Sequence, residues 1–197
     1  MRTKQWQSQW HSAAQGLRPF VDMEIDEYYH EIAMRWPGPG QSPGKQIVDL
    51  CLAAVAEYPE SSTFWYDLGI IMQRCGDDHG YSGEDYLRCF ENAVRCHPGN
   101  AEASRELGYV LDIYFDAYDR AEHAFRKAIE LGADQECYFG LARVLAQMGK
   151  VDDAIASLSK DVCPFHDHPD IQHLRDEILA GGWYWADVEK DKGIADL

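Results

Sequence analysis

Apolar residues recur at helical spacing along most of the chain. Ile47, Leu50, Cys51, Ala54 and Val55 fall on one helix face, as do Leu87, Phe90, Ala93 and Val94. Ala121, Ala124, Phe125, Ala128 and Ile129 make a third set, and Val151, Ala154, Ile155 and Leu158 a fourth. Each follows the i, i+3, i+4, i+7 rhythm of a helix that buries one stripe. No segment alternates apolar and polar residues for long, so strands are not expected. Turn and helix-end residues punctuate the sets: Pro59, Gly76, Gly83, Pro98-Gly99, Gly132 and Gly149. Pro37-Gly38-Pro39-Gly40, with Pro43-Gly44 after it, is the strongest break and closes off an N-terminal helical region, 1–36. Ser82 followed by Asp85 has capping-box spacing, and Asn100 and Ser62 are N-cap candidates.

Laid against one another, the helices repeat. Leu68-Gly69, Leu107-Gly108 and Leu141-Ala142 are matching small-after-Leu pairs, 39 and 34 residues apart. Phe90, Phe125 and Leu158 match in the helices that follow, at spacings of 35 and 33. Trp65-x2-Leu68-Gly69 opens one unit, and Ala121-x3-Phe125-x2-Ala128 fills the middle of the next. Ala154-x3-Leu158 is a looser copy. The small residue lets two helices approach closely, and the large one fills the gap towards the next hairpin. One hairpin cannot bury its apolar face alone, so stacking follows.

These residues resemble the tetratricopeptide repeat family, whose pattern is W-x2-L-G-x2-Y, A-x3-F and P over about 34 residues. The resemblance implies an all-α fold, a right-handed superhelix of helical hairpins. The repeat region is 44–180: a half-unit at 44–59, units at 61–99, 100–133 and 134–167, and a capping helix at 168–180. An aromatic and acidic tail, 181–197, follows. Met72, Leu111 and Leu145 stand where the pattern has tyrosine, and Ser104 replaces the tryptophan of the second unit. Insertions lie at 76–83 and near 114–119.

In such proteins the first helix of each unit lines a concave groove that takes an extended peptide or a helix. The matching positions are Tyr66, Ile70 and Arg74, then Arg105, Tyr109 and Asp112, then Phe139, Arg143 and Gln147. Tyrosine and arginine are the residue types enriched at binding hot spots. The expected function is therefore a non-enzymatic interaction module for a protein or peptide partner. Repeats that clamp the terminal carboxylate of heat-shock chaperones carry Lys and Asn where Tyr66 and Ile70 stand, which argues against that partner.

Charge refines the partner. The chain has 18 basic and 34 acidic residues, a net of −16, which repels nucleic acid and anionic membranes and attracts basic proteins. An alternative role follows, the shielding of a basic client by an immunity protein or secretion chaperone. Residues 1–20 hold no apolar run of signal-peptide type and no stretch approaches the ~20 apolar residues of a membrane span, so a cytoplasmic location is expected. Cys51, Cys75, Cys89, Cys96, Cys137 and Cys163 contain no C-x-x-C pair and are expected as free thiols.

Two clusters hold the residue types of a metal-dependent enzyme, the rival class. Cys163, His166, His168 and His173, with Asp167 and Asp170, offer zinc-type ligands, but their spacing matches no common structural site. Asp77, Asp78 and His79 sit in the insertion without a converging partner triad. Neither cluster supports an assignment: no catalytic residue, metal or cofactor is expected. Trp183-Tyr184-Trp185 and the pair Trp6 and Trp10 are expected to fold back on the terminal hairpins or to join two copies into a homodimer.

Overall fold

The computed structural model describes residues 23–75 and 80–181. Among them are helices and connecting turns and no strand, so the fold class is all-α. The chain divides into two compact units, Met1–Pro98 and Gly99–Leu197.

The first unit holds α1 (Ile25–Arg35), α2 (Lys45–Glu57), α3 (Ser62–Cys75) and α4 (Gly83–Cys96). Helices adjacent in sequence pack on one another. Glu24 and Glu27 form a capping box at the start of α1, and Ser82 and Asp85 form the expected one at α4. Ser61 rather than Ser62 caps α3: its hydroxyl accepts from the Phe64 amide at 3.3 Å. The Ser62 hydroxyl instead donates to the Ala93 carbonyl at 2.8 Å, tying α3 to α4. Tyr28, buried on α1, packs its ring against Tyr58 and Phe64 at centroid distances of 5.8 and 5.9 Å and donates to Glu57 at 3.0 Å. This aromatic knot anchors a helix whose own buried set is small, Tyr28 and Ile32.

Between α3 and α4 the close approach is at Gly69. A Cβ there would lie 2.8 Å from the Phe90 ring and 3.1 Å from Cys89 Cβ. The buried stripe of α4 is accordingly Tyr86, Cys89, Phe90 and Ala93, while Leu87 and Val94 are half-buried. The stripe is rotated from the one the apolar residues suggest, because the seam centres on the ring that faces Gly69.

The second unit holds α5 (Ala101–Phe115), α6 (Tyr118–Glu130), α7 (Gln135–Gln147), α8 (Val151–Ser157) and α9 (Pro169–Leu179). α5 with α6 and α7 with α8 form hairpins, α6 packs on α7, and α9 closes over α7 and α8. Asn100 caps α5 as expected, accepting from the Ala103 amide at 2.9 Å. The extra residue near 114–119 is taken up at Asp116, whose φ of 49° lets the chain leave α5 and start α6 two residues later. After α6 and α7, Gly132 and Gly149 adopt φ of 85° and 75°. The next amides then return to the Ala128 and Leu145 carbonyls at 3.0 and 2.9 Å, the glycine-stopped helix end that no Cβ-bearing residue adopts freely.

Phe125 is the centre of this unit. Its ring is fully buried between two backbones. A Cβ on Gly108 would meet it at 2.9 Å and one on Gly140 at 2.4 Å. The third small-after-Leu residue, Ala142, is also fully buried.

Candidate functional site

In the first unit the face singled out on α3 carries Tyr66, Ile70 and Arg74, all half-buried. The Tyr66 ring lies 6.1 Å from that of Phe90. Arg74 reaches the loop that precedes α2. Its Nη2 donates to the carbonyls of Gly38 and Gln41 at 2.8 and 3.3 Å, holding the Pro/Gly loop against the end of α3.

The second unit gathers most of its face residues into one polar network. Asp112 on α5 is 4% exposed and ion-paired with Arg143 on α7. Burial pushes the Asp112 carboxyl above its ordinary value, and the guanidinium offsets part of that rise. The Arg143 Cζ lies 5.5 Å from the Tyr109 ring centroid, within cation–π range. Tyr109 stands edge-on to Phe125 at 4.9 Å, and its hydroxyl donates to the Glu136 carbonyl at 2.7 Å. Burial, then the Glu136 charge, pushes that phenol upward. Arg105 pairs with Glu106 and Asp134, both at 2.9 Å. Gln147 adds a buried Oε1, and Arg143 a buried Nε, each without a hydrogen-bond partner and one turn apart on α7.

Two consequences follow for chemistry. Both arginines are ion-paired with carboxylates of the same unit. The Asp112–Arg143 pair also links α5 to α7 where neither charge can be left alone without a large penalty.

Phe139 lies apart from this network. It lines a cleft of ≈ 310 Å³ between α7 and α9, with Glu136, Asp170, Ile171, His173 and Glu177 around it. The repeat pattern ends the face at α7 and marks 168–180 as a cap. The missed signal is the spacing of Asp170, His173 and Glu177, which puts polar residues on the α9 face beside buried Ile171, Leu174 and Ile178.

The residues considered for a metal do not converge on one point. Cys163 is fully buried, and burial pushes its thiol up. His166 pairs with Asp167 at 3.1 Å and His173 with Glu177 at 3.3 Å. His168 is the N-cap of α9, its Nδ1 accepting from the Asp170 amide at 3.3 Å. Among the described residues no group of three or more His, Cys, Asp and Glu side chains is gathered to hold a metal ion. Asp77, Asp78 and His79, and the aromatics Trp6, Trp10, Trp183, Tyr184 and Trp185, lie outside the described residues.

Residues 116–161, from the αL turn after α5 to the end of the α7/α8 hairpin, match the family model of the tetratricopeptide repeat. That segment carries a tetratricopeptide repeat. Among solved structures, a thermophilic tetratricopeptide repeat protein of Thermus thermophilus aligns at a TM-score of 0.53 and 17% identity, over 87% of this chain and 88% of that one. At that identity the likeness concerns the fold alone. No curated protein matches the sequence. No helix among the described residues is long and apolar enough to cross a membrane.

Proposed function

We propose that this protein is a non-catalytic interaction module, and that the partner is taken on the face made by α5, α7 and α9. The observation that carries the reading is the α5–α7 network. Tyr109, Asp112 and Arg143 are locked by one another and by Glu136, so the surface beside them is held rigid before any partner arrives. Preorganisation of this kind lowers the ordering cost of association. Tyr66 and Ile70 on α3 offer similar contact chemistry in the first unit, with the Arg74-held loop beside them.

A basic partner is the favoured class. The net charge of −16 attracts one, and neutralisation of Arg105 and Arg143 leaves Glu136, Asp170 and Glu177 to set the sign of the cleft. Shielding of a basic client is the form of this function that charge supports.

The test is site-directed photo-crosslinking with a crosslinking phenylalanine analogue at position 139 on the face, or at Asp153, exposed on α8. A partner recovered from the native host should crosslink from position 139 and not from 153. The reverse pattern would move the site to the outer helices. Arg143→Ala is a poor test of binding, because it strands Asp112 in a buried position.

A further inference from the structure

The structure assigns the α7–α9 cleft as a seat for one lysine or arginine side chain of an extended partner segment. This deepens the proposed function by naming the chemistry of the anchor. The cleft is ≈ 310 Å³, room for one long side chain rather than a helix. Its floor is apolar: Ile171 is 1% exposed and Phe139 is half-buried. Around that floor stand Glu136 from one wall and Asp170 and Glu177 from the other, with no lysine or arginine in the lining. Apolar floor and carboxylate rim match the two halves of a basic side chain, a methylene stem and a charged head. Phe139 adds attraction for a cation within reach of its ring.

The rim charges are partly engaged already. Glu177 pairs with His173 at 3.3 Å, Asp170 stands 3.6 Å from His168, and Glu136 accepts from Tyr109 at 3.2 Å.

The experiment uses a fluorescein-labelled, acetylated tetra-arginine amide and the full chain, read by fluorescence anisotropy at physiological ionic strength, where distant charge attraction is screened. Three variants are compared with wild type, each checked for helicity by circular dichroism. The first replaces the rim: Glu136→Gln, Asp170→Asn and Glu177→Gln. The second removes three exposed carboxylates elsewhere in the same unit: Asp152→Asn, Asp153→Asn and Asp161→Asn. The third is Phe139→Ala.

The rim variant should bind about tenfold more weakly, the sum of three partly exposed charge contacts. Phe139→Ala should lose about threefold, and the control triple should stay within about twofold of wild type. Equal losses in the two triples would overturn the seat and leave only diffuse attraction to an acidic protein. An unaffected rim variant would overturn it too. Should the seat fail while position 139 still crosslinks the native partner, the proposed function stands without it. Should the probe bind the rim and the native partner avoid the face, the seat stands and the proposed function fails.

Discussion

Gly140→Ala isolates the contact on which the second unit is built. A methyl at Gly140 would lie 2.4 Å from Phe125 Cζ and 2.5 Å from Cε1, where ordinary contact begins at 3.4 Å. The ring must retreat by about 1 Å, and behind it stands the α5 backbone at Gly108, itself near enough that a Cβ there would meet the ring at 2.9 Å. Overpacking of this kind costs ~1–3 kcal/mol, with this doubly confined ring at the upper end. Alanine in a helix interior contributes about 1 kcal/mol over glycine in the opposite sense. The net expectation is a loss of roughly 2 kcal/mol, from the difference of those two effects. Urea denaturation followed by circular dichroism measures it. Phe125→Leu in the same chain should then cost less than it does alone, because it relieves the overlap. A Gly140→Ala protein more stable than wild type, by the helix-propensity gain alone, would refute the argument.

Three further outcomes follow from the structure. Arg143→Met should destabilise by ~3 kcal/mol, since it leaves buried Asp112 without its ion pair, and the double variant Asp112→Leu, Arg143→Met should recover most of the loss. Burial alone would raise the pKa of Glu122, but hydrogen bonds from Lys150 and Arg126 outweigh it and hold the carboxyl below its ordinary value. A depressed folded-state value gives stability above the unfolded pKa that is lost as pH falls through the folded one, so Glu122→Gln should cost ~0.5–1 kcal/mol at pH 7 and progressively less as the solution is acidified below the ordinary glutamate range. Under native conditions Cys96, half-buried, should be alkylated first, while Cys51, Cys75, Cys89, Cys137 and Cys163 are buried and react only on unfolding, as peptide mapping would report.

The hairpins were legible because their determinants are local and repeated. Leu68-Gly69 with Phe90, and Leu107-Gly108 with Phe125, mark helices that meet within one hairpin, and the structure places each glycine against its ring. Gly140 was not legible. Its small size answers the Phe125 ring of the preceding hairpin, a need set by packing between repeats rather than by the pattern within one. The repeat pattern puts Asp112 and Arg143 on a face, but nothing in it marks their pairing across 31 residues. Opposite charges near one repeat apart, on equivalent faces, are the signal to look for. Arg74 shows the converse: its face position was visible, but the Pro/Gly loop that captures it has no regular pattern from which its path can be read.

The most direct measurement is hydrogen–deuterium exchange on the protein with and without the partner recovered from its host. Slowed exchange at the solvent-facing edges of α5, α7 and α9, with α6 and α8 unchanged, is the predicted result. Protection confined to α6 and α8, or to the first unit, would contradict the account.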